Sequence, residues 1–292
     1  MSTMSAATEQ AGDRGVIDYS LRWRAQGVYP GSHRGAGGAA AGLFRALVPF
    51  ERAPDMRRLD LRRSMRDPYG QWYVKEYQPR LSVQIYALVD VSASMAWRDD
   101  DRSKLDVAGH FCDLLARAAH RNGDSFGLYA CGADLLEESS LPSNRNRAVV
   151  SDMVSRLRTL LPTADSAVAL GTAAEYLQGP RKLVFLLSDF LFPEQQTEQI
   201  LAALSNHDVI PVVLQDYSVS DLPNWGFTEL ADLETGQRRF AIIRPSLKQR
   251  WLQESENRRN RLDALFGRYV NRPFRVERTL DVEALNTYLL ER

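Results

Sequence analysis

Two stretches of the chain end an apolar run on an aspartate. In SVQIYALVDVSASM the run closes on Asp90, with Ser92 and Ser94 following at alternate positions; in KLVFLLSDF it closes on Asp189. Asp-x-Ser-x-Ser in a turn aims one carboxylate and two hydroxyls at a common point. Such a donor set suits a hard cation: Mg2+ takes six oxygens, with one or two carboxylates among neutral oxygens and waters. A site with few anionic ligands stays electrophilic and accepts a further carboxylate. The same residues have a structural alternative, capping of the helix that follows. An aspartyl-phosphatase reading of Asp90 is disfavoured, because the second carboxylate such enzymes place two residues on is here Ser92. GDSFG at 123–127 matches Gly-x-Ser-x-Gly, but a helix is expected before Ser125 and a strand after it, the reverse of a nucleophile elbow. Gly35, Gly37 and Ala40 offer a dinucleotide-like spacing with no strand before them, and no Gly-x-x-x-x-Gly-Lys-Ser/Thr occurs.

Elements must bring those two strand ends together. SVQIYALVD (82–90), SFGLYAC (125–131), KLVFLLSD (182–189) and DVIPVVLQD (208–216) are almost continuously apolar, the signature of strands covered on both faces. Helices are expected between them, at about 103–121 (Leu105, Ala108, Phe111, Cys112 and Leu115 on one face), 145–160, 166–177 and 193–206. ADLLEES suggests a short antiparallel edge strand, RRFAIIR (238–244) the last strand, and the segment from Ser246 the last long helix. Alternating strands and helices predict an α/β fold on a mostly parallel sheet, with ligands beyond the carboxyl ends of the strands. Upstream, RLDLRRS and WYVKEYQ bracket the turn sequence Asp67-Pro68-Tyr69-Gly70, and Leu59/Leu61 and Trp72/Val74 alternate with polar residues, which predicts a β-hairpin. The organisation expected is a polar tail at 1–15, an N-terminal β-containing extension at 16–80, and the α/β domain at 81–292.

The chain has 292 residues, 37 Lys+Arg against 37 Asp+Glu, and 44% hydrophobic residues. Zero formal net charge gives no long-range field for nucleic acid or an anionic membrane. The arginines at 57, 58, 62, 63 and 66, and those of the last long helix, therefore read first as solvated faces paired with neighbours such as Asp60, Glu254 and Asp263. Cys112 and Cys131 are the only cysteines, both in apolar surroundings, and the four histidines lack zinc-ligand spacing. No signal-peptide core and no stretch of about 18 apolar residues is present. The expectation is a cytoplasmic protein without a membrane span.

Asp90-x-Ser92-x-Ser94 with Asp189 resembles the metal-ion-dependent adhesion site of von Willebrand factor A domains over about residues 81–245. The resemblance implies a doubly wound α/β fold and a Mg2+ or Mn2+ site completed by a loop threonine. Thr163 in LLPTADSAVALG is the candidate, with Asp165 or Ser166 as alternatives, since the order here is Pro-Thr-Ala-Asp. The upstream residues narrow it: Arg57, Arg58, Asp60 and Arg62, with Leu61 where Trp is usual, then Lys75, Glu76 and Tyr77, are similar to the bacterial MoxR-associated proteins (domain-of-unknown-function family fifty-eight), especially their MxaS-like branch found beside methanol-dehydrogenase genes. That resemblance implies a partner of a MoxR-type AAA+ ATPase that helps mature or activate other proteins, methanol dehydrogenase among the candidates. The residues themselves favour binding over turnover, since no second carboxylate or histidine stands beside Asp90: an adaptor in which a client supplies an acidic residue to the metal. The alternative from another class is a metal-dependent phosphatase or hydrolase at the same strand ends.

Overall fold

The computed structural model describes residues 15–26, 29–35, 43–99, 102–162, 166–215, 225–231 and 238–292. The chain divides into two units, residues 21–83 and residues 1–20 with 84–292.

In the smaller unit, β1 (Pro30–Arg34) pairs antiparallel with β4 (Arg80–Leu81), and β2 (Leu43–Pro49) pairs antiparallel with β3 (Tyr73–Gln78). The hairpin expected around Asp67-Pro68-Tyr69-Gly70 is not formed. Leu61–Ser64 is instead one helical turn, α1, capped by Asp60, whose side chain accepts from the Arg63 amide at 3.0 Å. Leu59 alone bridges to Val74, and β3 finds its partner in β2. The local cap outcompetes a strand whose apolar alternation ran for just two residues.

In the larger unit, β5 (Gln84–Asp90) runs to a short two-residue ribbon, β6 (Arg98–Asp99) with β7 (Arg102–Ser103), and then α2 (Lys104–Arg121). There follow β8 (Ser125–Cys131), β9 (Leu141–Asn144), α3 (Arg147–Thr159), α4 (Ala169–Ala173), β10 (Leu183–Ser188), α5 (Glu194–Ala203), β11 (Asp208–Leu214), β12 (Gly226–Ala231), β13 (Arg238–Ile243), α6 (Pro245–Tyr269), β14 (Phe274–Val276) and α7 (Val282–Glu291). Six strands form one sheet in the order β14-β11-β10-β5-β8-β9, parallel except for β9. This is the doubly wound, mostly parallel α/β architecture expected. Strand order reverses between β5 and β10, so the ends carrying Asp90 and Asp189 stand side by side at the switch point.

Two expectations for this unit, the edge strand and the last strand, are corrected. The antiparallel edge strand is Leu141–Asn144, not ADLLEES, which forms a 3-10 turn at Glu137–Ser139. RRFAIIR lies in a separate ribbon with β12, and the sixth strand is the three-residue β14. The long helix α6 is followed by a further helix, α7, capped by Asp281.

The continuous apolar strands are buried on both faces: β8, β10 and β11 throughout, and β5 from Ile85. Tyr86 of β5 lies opposite Gly127 of β8, where any side chain would strike its ring, and stacks on Tyr129 at 5.6 Å. Cys112 and Cys131 are fully buried, and burial pushes both thiols well above the ordinary range. Ser125 sits at the start of β8 and accepts or shares a hydroxyl bond with Ser143 at 2.6 Å, as a strand-start residue rather than a nucleophile. Among the described residues no helix is long and apolar enough to cross a membrane.

Candidate metal centre

The site begins where β5 ends. Asp90 is fully buried, and both its oxygens are occupied: Oδ1 accepts from the Ser92 amide at 2.8 Å and Oδ2 from the Ser188 hydroxyl at 2.6 Å. Ser188 in turn accepts from the Phe190 amide at 2.8 Å, which ties the end of β10 to the end of β5. Burial, and then the charge of Asp189, push the Asp90 carboxyl up to about 6.

The chain after Asp90 turns through a 3-10 segment, Ala93–Ala96. Ser92 stands at its N-terminus but makes no side-chain cap, and α2 is capped by Ser103 in a reciprocal box with Asp106. The capping alternative for Ser92 and Ser94 is therefore not the arrangement adopted. Their hydroxyl oxygens lie 3.1 Å apart and line a cavity of about 130 Å3 together with Ser166, Asp189 and Gln196. Leu191, Phe192 and Pro193 form its apolar side. Thr163 and Asp165 fall outside the described residues.

Asp189 sits just past β10. Its Oδ1 accepts from the Leu191 amide at 3.2 Å, and its Oδ2 takes a 2.6 Å ion pair with Lys104 Nζ. Both side chains of that pair are at least nine-tenths buried. Lys104 opens α2, and nothing in the local sequence marked it, because its partner is 85 residues away. Ser188 was likewise hidden as the last residue of an apolar run. The loop after Asp189 is held by strain and by a cation. Phe190 has φ of 53°, unusual for a bulky residue. Arg258 of α6 donates to the carbonyls of Phe190 and Phe192, the latter at 3.2 Å. Phe190 packs edge-on against Phe266 of the same helix at 5.1 Å.

The donor chemistry fits a hard divalent cation. Neighbouring ligands in an octahedral Mg2+ shell stand ~3 Å apart, close to the Ser92–Ser94 hydroxyl separation. Among the described residues no group of three or more His, Cys, Asp or Glu side chains stands together, so the donors of this site are mainly hydroxyl oxygens. On α6, Arg261 pairs with Glu194 and Glu254, and Asp263 pairs with Arg275 of β14.

Comparison with known proteins extends this picture. An uncharacterised protein of Mycobacterium tuberculosis is 25% identical over 242 residues, 80% of this chain and 74% of that relative. A Paracoccus denitrificans protein described as lying in the moxR 3' region is 32% identical over 104 residues, 35% of this chain and 99% of that relative. Among solved structures, the SpRpn10 VWA domain aligns at 9% identity and a TM-score of 0.41, covering 73% of this chain and 96% of that one. The model of the protein-of-unknown-function family DUF58 matches residues 49–261, from the smaller unit through the site and into α6, and the chain belongs to that family.

Proposed function

We propose that this chain is a binding protein that holds a divalent cation, Mg2+ or Mn2+, at the ends of β5 and β10 and uses it to grip a carboxylate of another protein. The single observation behind this reading is that the Ser92 and Ser94 hydroxyls, free of any capping role, face one cavity with Asp189 beside the buried Asp90. Ser92 and Ser94 would hold the ion, with Thr163 as the loop ligand and Asp90 and Asp189 contributing directly or through water. Bound there, the ion would supply a positive centre with exchangeable water.

The chain's own residues set the terms. The Ser92 amide and Ser188 hydroxyl fix the orientation of Asp90. Lys104 neutralises Asp189, so the pocket is short of negative charge and favours an incoming carboxylate. Leu191, Phe192 and Pro193 give that carboxylate a partly dry rim, in which a charge-assisted contact gains strength. The partner we propose is a MoxR-type AAA+ ATPase, together with a client protein that supplies the acidic residue and is matured or activated. A relative named for its place in the moxR 3' region supports the association.

The test is thermal unfolding with Mg2+ or Mn2+ for the wild type and for Ser92→Ala/Ser94→Ala. A ligand that binds only the folded state stabilises by ~2.7 kcal/mol at a hundredfold excess over its Kd. The wild-type midpoint should rise and the variant's should not. Equal responses place the ion elsewhere. Affinity of the purified pair in Mg2+ and in EDTA then decides whether the ion bridges the partners.

A further inference from the structure

The segment from Met56 to Trp72 in the smaller unit has an unusual division of charge. Its two aspartates, Asp60 and Asp67, and Asp55 just before it, are all occupied within the segment and its flanking residues. Asp55 accepts from the Arg57 amide at 3.0 Å and pairs with Arg58 at 3.1 Å. Asp60 caps α1 and faces Lys75 at 3.5 Å. Asp67 accepts from the amides of Tyr69 and Gln71, both at 3.0 Å, and from the Tyr73 hydroxyl at 3.2 Å. Arg57, Arg62 and Arg66, by contrast, are exposed and have no carboxylate partner among the described residues. The segment is also pinned: Ser64 accepts from the Tyr73 amide at 2.8 Å, and Arg63 lies over the Tyr73 ring at 5.3 Å.

Exposed apolar side chains stand in the same segment. Met65 is 85% exposed and Tyr69 87%, with Leu61 and Trp72 more than half exposed. Leu61 and Met65 stand at the start and the C-cap of the single turn α1, and Arg62 and Arg66 each follow one of them by one residue, so apolar and cationic side chains alternate along it. Trp, Tyr, Met and Arg are the types enriched in protein interfaces, and unpaired guanidinium forks match carboxylates bidentately.

We propose that Met56–Trp72 is a docking surface for an acidic segment of another protein that carries apolar side chains between its carboxylates. Charge complementarity selects the occupant: the surface offers three unpartnered guanidinium groups and no unpartnered carboxylate of its own aspartates. Its hydrogen-bonded geometry suits a structured contact more than a fluid headgroup layer, which requires no fixed register. The contact uses none of the residues of the strand-end cavity and needs no ion there.

The intact chain is used to select from a display library of short random peptides. Enriched sequences should combine Asp or Glu with Leu, Ile, Phe or Trp. Their affinity should fall at least about tenfold for Arg62→Glu/Arg66→Glu and for Trp72→Ala, and should be unchanged in EDTA. The charge-reversed variant should instead bind the same peptides with their acidic residues replaced by lysine. Unchanged unfolding midpoints separate lost binding from lost fold. No enrichment, enrichment without acidic residues, or affinities untouched by the substitutions overturns the proposal. Peptide binding abolished by EDTA transfers the contact to the strand-end site. Displacement of the peptides by phosphatidylserine vesicles, with tight vesicle binding, makes the surface a membrane contact and sinks the protein partner.

Discussion

The strand-end cavity and the Met56–Trp72 surface are built from the same groups, aspartates beside cations, and arrange them in opposite ways. In the cavity the cation is drawn inward: Lys104 is buried against Asp189, and Asp90 is enclosed by a hydroxyl and an amide. On the surface the aspartates are taken up by neighbouring backbone amides, and the arginines are left facing water. Burial is the reason for the difference. A charge removed from water must be paired or it costs several kcal/mol, whereas an exposed guanidinium keeps its hydration and needs no partner until one arrives. Loss of a group in the first region should therefore be read in stability, and in the second in binding alone.

The sharpest break in that contrast is Lys104→Met. Asp189 would keep its burial and lose its counter-charge, and removing one member of a buried pair costs ~3–5 kcal/mol. Urea unfolding in EDTA should show that loss, with part of it recovered in excess Mg2+. A variant as stable as the wild type in EDTA would mean that Asp189 carries no buried charge needing Lys104.

Next in size is the pH response of Asp90. Its folded-state value, about 6, lies above the ordinary 3.8. The folded state therefore holds this proton more tightly than the unfolded chain. Its contribution to stability is complete below about pH 4 and is lost as pH rises through 6, a change on the order of 3 kcal/mol. Asp60 and Asp67 are shifted the other way, mainly by backbone amide bonds, and their contributions fade as pH falls. They are common to wild type and Asp90→Asn, so the difference between the two proteins isolates Asp90. In EDTA, wild type should lose stability relative to Asp90→Asn between pH 4 and 7. A constant difference across that range would place Asp90 in a polar, not a desolvated, setting.

Those two residues also mark what the sequence discloses. Asp90 and Asp189 were legible because each closes an unbroken apolar run, and a run buried on both faces must be an interior strand. Their adjacency followed from the alternation of strands and helices. Lys104 was not legible, since a lysine opening a helix looks like any solvated charge and its partner is distant in sequence. Strand β14 escaped notice because three residues carry no periodicity. The absent hairpin shows the other failure: turn chemistry at Asp67-Pro68 was read correctly as a turn, but Asp60 captured the Arg63 amide and converted the flanking strand to α1.

A smaller effect is expected at the loop that joins the cavity to α6. Arg258→Ala would remove the donors to the Phe190 and Phe192 carbonyls and leave the positive φ of Phe190 without its clamp. A charged hydrogen bond of this kind contributes ~2 kcal/mol. The measurement is urea unfolding alongside hydrogen exchange at residues 190–192, where protection should fall more than in β10. Uniform loss of protection across the sheet would make Arg258 a general packing residue rather than a support for the cavity's rim.

The smallest expected change tests the second region on its own terms. Met65 and Tyr69 are among the most exposed side chains of the described residues, and neither takes part in holding the loop by its side chain. The loop is fixed by Asp60, Ser64 and Asp67 through backbone amides and the Tyr73 hydroxyl, none of which a change at Met65 touches. Truncation of an exposed side chain away from caps and cores alters stability by no more than ~0.5 kcal/mol. Met65→Ala should therefore unfold with the wild-type midpoint and slope while weakening selected acidic peptides. A stability loss comparable to that of Lys104→Met would show that the surface is part of a packed core. Its apolar side chains would then exist to be covered by this chain, and the contrast between an inward-facing and an outward-facing arrangement of charge would fail at its second member.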